Sequence, residues 1–397
     1  MSWFAWASAL GWVLVVAAAH LRSRQYAIFS AVKLGLQSLI AVALAPRFAW
    51  AWPVFCYLQL VVHVQSLALV RPRLWPLPYR VLVSIPAAFF GAGTLLAFPW
   101  AIARAFAVDL PWVWLPYALS LFGVLESLFT RHEEFDIVVK DEDAGAGPKR
   151  HRVGELRVER PLRIVQITDP HLGPFMSVKR LSAIAQHAVA RDPDLVLLTG
   201  DFLTMESQSD PELLARALAP LAALPGRVFG CFGNHDHEAP EIVRAAFARI
   251  GGRLLIDESA LVDTPAGRVQ IVGFDFCWRG RAQHLARVCA EHPRVAGALR
   301  LALLHDPGAF HHVPPGEADL VLSGHTHGGQ VGLLRLGLPW TLMRVFVKAP
   351  DHGFWARGWD RLYVHRGTGH YGFPLRLGVP AEESLVRVHV PAAASGS

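Results

Sequence analysis

Hydropathy divides the chain into two unlike parts. Through residue 130, long apolar runs are broken only by isolated charges, whereas beyond it short apolar runs alternate with amphipathic stretches. In the first part, segments 3–19, 27–45, 49–70, 81–103 and 111–129 each approach the roughly 20 apolar residues that a bilayer core demands, so about five transmembrane spans are expected. Lys33, His63 and Glu126 fall inside these runs; snorkelling to the interface or hydrogen bonding between helices is the expected use of all three.

In the second part, segment 134–140 alternates as a strand does, and 141–152 is charged and glycine-containing, as a linker is. From residue 163 the pattern predicts strands at 163–168, 194–199, 227–232, 253–256, 260–263, 268–274, 299–304, 319–323, 361–365 and 384–390. Helices are predicted at 178–190, 211–224 and 240–250. Such alternation predicts an α/β domain. The expected division is a membrane region over 1–130, a strand and linker over 131–160, the α/β domain over 161–390 and a disordered tail over 391–397.

Charge supports this division. The first 130 residues hold eight of the 38 basic and two of the 32 acidic residues, so the remainder is neutral. The basic character of the chain therefore reflects arginines between membrane spans and gives no reason to expect nucleic acid. Nine of the 13 tryptophans lie in the same region, as interfacial aromatic belts require. With five spans, the positive-inside rule puts the C-terminal domain on the cytoplasmic side of a multi-pass inner-membrane protein. Cys56, Cys231, Cys277 and Cys289 show no paired spacing, which argues against a disulfide framework.

Candidate chemistry sits where predicted strands end. Asp169-Pro170-His171, Gly200-Asp201, Gly233-Asn234-His235-Asp236, His305-Asp306 and Gly324-His325-Thr326-His327-Gly328 each begin the loop after a strand, the edge on which sites of open α/β sheets assemble. Asp-x-His and His-x-His place alternate side chains of an extended segment on one side. Imidazole, carboxylate and amide donors without thiolate suit Mn, Fe or Zn in a reactive site. A carboxylate presented alone, as in Asp201, is a natural bridge between two ions. Any one of these histidines alone is more often an ordinary polar residue; the ordered set is what carries weight.

In that order the motifs resemble those of the calcineurin-like metallophosphoesterase superfamily, over about residues 160–390. The resemblance implies a four-layer α/β/β/α sandwich and two divalent metals, manganese first, with iron or zinc as alternatives. Asp169, His171, Asp201 and His327 would hold one ion, and Asp201, Asn234, His305 and His325 the other. His235 would face the phosphate as a catalytic non-ligand, oriented by Asp236. The second motif departs from the family's usual pattern, because Gly200-Asp201-Phe202-Leu203-Thr204 lacks the second acid; that acid is not a ligand in the family.

Segment 363–382 and the GHTHGGQ run at 324–330 resemble a membrane-associated branch that includes bacterial phosphodiesterases and a UDP-diacylglucosamine hydrolase. In this segment Arg366, His370 and Arg376 are candidate substrate contacts, the two arginines being equally suited to structural ion pairs. The expected function is a membrane-anchored phosphodiesterase or pyrophosphatase that cleaves a lipid- or nucleotide-linked phosphoester through a metal-bridging hydroxide. The alternative is a membrane sensor whose metal domain regulates without turnover. An apolar, aromatic stretch at 333–359 either packs on its own domain or meets membrane lipid.

Overall fold

The computed structural model describes residues 2–139, 149–150, 160–372 and 375–390. Most of the expected linker and the whole expected tail lie outside the described residues. The chain forms two compact units, one of residues 1–128 with 205–207 and 372–377, the other of the remainder.

The first unit is helical and its polarity is inverted. Trp6, Leu10, Ile28, Val32 and Leu39 are exposed, while Ser8, Gln37, Gln59 and His63 are buried. The Gln37 side-chain amide donates to Gln59 (3.0 Å), and His63 Nδ1 lies 2.9 Å from the Gln59 carbonyl. Apolar groups outside and hydrogen-bonded glutamines inside suit a hydrocarbon solvent.

Among the described residues three helical stretches, not five, have the length and composition to cross a membrane: Trp3–His20, Arg24–Ala68 and Leu77–Leu96. The second and third expected spans share one run of 45 residues. A 3-10 corner at Ala45–Ala51, non-helical at Phe48, interrupts it, and the Gln37–Gln59 bond shows that the run doubles back there. The fifth expected span has only the 12-residue helix Leu115–Glu126, about 18 Å long against a core of about 30 Å.

The second unit is a mixed α/β domain. Its described strands are β1 (Thr130–Val138), β2 (Lys149–Arg150), β3 (Leu162–Ile167), β4 (Leu195–Leu198), β5 (Val228–Gly230), β6 (Arg253–Leu254), β7 (Glu258–Thr264), β8 (Gly267–Gly273), β9 (Leu299–Leu303), β10 (Leu320–Ser323), β11 (Gly353–Arg357), β12 (Asp360–Val364) and β13 (Ala381–His389). One sheet has the order β1-β13-β3-β4-β5-β6, the other β2-β11-β12-β10-β9-β8-β7. Strands β3 to β6 are parallel, as are β8, β9, β10 and β12.

Leu195, Leu197, Phe229 and Val386 of the first sheet share one buried cluster with Ile271, Leu301, Leu303, Leu320 and Leu322 of the second. The sheets therefore pack face to face. Intervening residues Val272, Ala302, Val321 and Leu362 instead meet Leu285 and Val288 of helix Arg281–Glu291. Burial on both faces explains why these strands read as unbroken apolar runs.

Candidate metal centre

Five strand ends converge on one cluster. Asp169 and His171 follow β3, Asp201 follows β4, Asn234 and His235 follow β5, His305 follows β9, and His325 and His327 follow β10. Backbone bonds hold the loops together across both sheets: Asp169 N–H donates to Gly200 O (3.0 Å), His171 N–H to Asp201 O (3.2 Å) and Gly324 N–H to His305 O (3.0 Å). Gly324 is required by space, since a Cβ there would lie 2.1 Å from Asp169 Oδ2.

The donors fall into two groups. Asp169, His171 and His327 form one, Asp201, His305 and His325 the other, with the ligand atoms of each group within 4.8 Å of one another. Asp201 connects them: its Oδ2 is 3.6 Å from His171 Nε2 and 3.3 Å from His305 Nε2.

The tautomers show what this arrangement lacks. His305 Nδ1 lies 2.6 Å from the Thr199 carbonyl and His327 Nδ1 3.3 Å from that of Gly369. A carbonyl only accepts, so each Nδ1 carries a proton and each ring turns its Nε2 inward. His305 Nε2 then faces Asp201 and, at 3.2 Å, His325 Nδ1. Asn234 Oδ1 is buried without a hydrogen-bond partner among the described residues. Buried lone pairs converging without protons fit divalent cations.

Electrostatics agree. Burial pushes the His171 imidazolium down to about 3 and that of His325 to about 4, the charge of His305 adding to the burial in both cases. Burial also opposes charge on His305, but Asp201 outweighs it and pushes His305 up to about 10. Without cations, that proton substitutes for them.

Asp169 (φ 50°), His171 (43°), Asp201 (57°), His325 (66°) and His327 (51°) all adopt left-handed backbone angles. Each costs on the order of 1–2 kcal/mol for a residue with a Cβ, and strain of this kind concentrates where surrounding structure overdetermines a functional site.

Around the cage, the Asp236 carboxylate accepts from three backbone amides, those of Asp201 (2.7 Å), Phe202 (2.9 Å) and Gly233 (2.7 Å). It therefore pins the Asp201 loop to the Gly233 loop and does not orient His235, as the motif had suggested. That place belongs to Glu238, 3.1 Å from His235 Nδ1. His235 belongs to neither donor group; its backbone N–H donates to Asp201 Oδ1 (2.9 Å) and its ring centre is 5.5 Å from that of His171.

Residues 162–329, which contain all seven expected ligands, match the family model described as calcineurin-like phosphoesterase. The chain carries a calcineurin-like metallophosphoesterase domain. That domain is a hydrolase domain of a family that uses divalent metals.

The metallophosphoesterase domain has similar proteins with telling names. Phosphodiesterase YaeI of Escherichia coli is 29% identical over 246 residues, covering 60% of this chain and 87% of that protein. A transmembrane protein with metallophosphoesterase domain from Bos taurus is 27% identical, covering 56% and 51%. UDP-2,3-diacylglucosamine pyrophosphatase LpxG of Chlamydia trachomatis is 25% identical, covering 57% and 83%.

Among the expected substrate contacts of the metallophosphoesterase domain, the Arg366 guanidinium is committed to Glu382 and Glu133, each at 2.7 Å. Arg376 is fully buried in the N-terminal unit, its N–H donating to Gly123 O (3.1 Å). His370 is buried, with its ring 5.0 Å from Phe175. Its neighbour Tyr371 is the aromatic residue at the cage: it stacks on His171 (5.0 Å, 26°) and meets His235 edge-on (5.0 Å, 89°). The hydrogen bonds from Thr368 N–H to Thr168 O (2.8 Å) and Gly369 N–H to Asp169 O (3.0 Å) bring it there. On the other side, the Phe276 ring lies 6.2 Å from His305 and 6.1 Å from His325.

Because Arg366 neutralises buried carboxylates, Arg366→Ala is expected to destabilise the protein by about 3 kcal/mol, read as a lower melting temperature. An unchanged melting temperature together with a raised KM would return Arg366 to the substrate.

Proposed function

We propose that this chain is a membrane-anchored, dinuclear-metal phosphodiesterase or pyrophosphatase acting on a lipid- or nucleotide-linked phosphoester. The observation that carries the reading is the pair of donor groups joined through Asp201, with the unpartnered Asn234 oxygen beside them. In this reading Asp169, His171, Asp201 and His327 hold one ion and Asp201, Asn234, His305 and His325 the other, with manganese preferred over iron or zinc. Such ions supply Lewis acidity toward phosphoryl oxygens and toward water. The names of the bacterial relatives support a diester or pyrophosphate substrate, and that of LpxG a lipid-linked one.

The protein's own groups do the rest. His235 is partly exposed beside the cage, and although burial works against its charge, Glu238 raises its pKa above the ordinary imidazole value. Near neutral pH it can hold a proton for the departing oxygen. Tyr371 covers the open faces of His171 and His235 and limits water there. Asp236 acts through the loops, as a positioning residue.

We place the domain on the cytoplasmic face. Doubling back of the run Arg24–Ala68 keeps Arg22 and Arg24 on the same side as Arg71 and Arg73, the arginine-rich side that the positive-inside rule makes cytoplasmic; the placement requires segment 111–129 to bring the chain back to that side despite the 12-residue length of its helix. Protease added outside sealed spheroplasts is expected to leave the domain intact; digestion would place it outside.

In a manganese-supplemented assay with bis-p-nitrophenyl phosphate, p-nitrophenyl phosphate and UDP-diacylglucosamine, diester or pyrophosphate cleavage is expected to exceed monoester cleavage. His235→Ala should lower turnover by a factor on the order of 10² with metal content kept, whereas Asp201→Ala should lose metal. Absence of turnover in metal-replete protein would sink the enzymatic reading. Since Glu238 raises the His235 pKa, and a proton donor is lost as pH rises through its pKa, Glu238→Gln should move the alkaline limb of the kcat profile to lower pH. An unmoved limb would remove Glu238 from this role.

A further inference from the structure

The segment after the second histidine pair is unlike the rest of its unit. Eight of the twelve exposed large apolar side chains described beyond residue 128 lie within residues 333–347, among them Leu336 (73% exposed), Leu338, Trp340, Val345 and Phe346 (77%). That concentration marks a patch rather than the scattered exposure normal for a protein surface.

The segment is also well anchored. Gly332 bridges Thr341, Leu333 N–H donates to Trp340 O (2.9 Å) and Leu342 N–H to Val331 O (2.8 Å), so residues 331–342 form a flap. At its base the Thr341 hydroxyl donates to the buried Asp351 carboxylate (2.6 Å), and the Thr326 hydroxyl, between the two cage histidines, to Asp351 O (2.7 Å). The apolar tip thus extends from a base bonded to the cage loop.

Its charge indicates what covers it. Residues 320–350 contain no Asp or Glu, and Arg335, Arg344 and Lys348 are exposed around the apolar tip. Exposed apolar groups ringed by cations match the boundary between anionic headgroups and acyl chains. A second copy of this chain would bring the same positive charge against itself. The bilayer is also at hand, because the same chain carries helices of membrane-spanning length.

We propose that residues 331–348 are a membrane-docking flap that dips its tip into an anionic bilayer surface and holds the mouth of the metal cage at headgroup depth. Resting on the function proposed above, this makes the substrate class a phosphoester presented from the bilayer surface, its acyl chains left in the membrane.

The test uses full-length protein in nanodiscs of equal parts phosphatidylglycerol and phosphatidylcholine. An environment-sensitive fluorescent amino acid replaces Leu336 or Phe346, or, as a water-facing control, the exposed Asp263 near the end of β7. Nitroxide-bearing lipids should quench the first two about twofold or more beyond the control, and R335E/R344E/K348E should abolish the difference. Equal quenching at all three positions overturns the proposal. Blue-shifted emission without quenching also overturns it, in favour of a second protein copy over the patch.

A paired assay reads the consequence. L336D/F346D should keep turnover of bis-p-nitrophenyl phosphate within about twofold while lowering that of a bilayer-embedded diester about tenfold; equal effects on both substrates overturn the link to substrate. If wild-type protein turns over neither substrate, the phosphoesterase reading fails, and the quenching result decides docking by itself.

Discussion

The cage depends on one buried carboxylate held at both ends. Oδ2 of Asp201 lies between His171 of one donor group and His305 of the other, while Oδ1 accepts the His235 backbone N–H. Its own backbone N–H is fixed by Asp236, which also fixes Phe202 and Gly233. Two aspartates 35 residues apart thereby register the ends of β4 and β5, and with them every donor these loops carry. Burial disfavours charge on Asp201, yet His305 and His171 hold its pKa well below the ordinary carboxylate range. A permanent negative charge at the centre of a buried cluster demands positive charge nearby, whether from a proton or a metal ion.

Much of this was legible in the chain. Runs such as Leu195–Leu198 and 320–322 are apolar throughout because both faces of their sheets are covered, so the polar stretch after each run stands out as the start of a site. Other placements escape local pattern for physical reasons. Asp236 follows His235 directly and looks like its partner, but the 3-10 turn Asp236–Glu238 sends Asp236 back toward the loop amides and brings Glu238 to the imidazole. Arg366 meets Glu133 across 233 residues of sequence, a separation that local pattern does not reveal. Tyr371 reaches the cage through ring stacking, which has no spacing signature, and the adjacent His370 drew attention instead.

The membrane region shows a different limit. Hydropathy registers how apolar a window is, not where a helix stops. Proline at the start of Leu115–Glu126 and the 3-10 corner at Ala45–Ala51 set helix ends that composition does not show. What composition did convey is the inverted polarity, with Gln37, Gln59 and His63 bonded inside and tryptophans and leucines outside.

The order of strands in the first sheet has a consequence for synthesis. β13, made of the last described residues, lies between β1 and β3, antiparallel to β3 and parallel to β1. β1 is translated directly after the apolar helices, yet its partner β13 leaves the ribosome more than two hundred residues later. The sheet therefore closes only after the whole of that interval has been synthesised. Every expected donor of the metal cage precedes β13 in the chain, so the sheet that carries β3 to β6 is completed only after the last of them, His327, has been made.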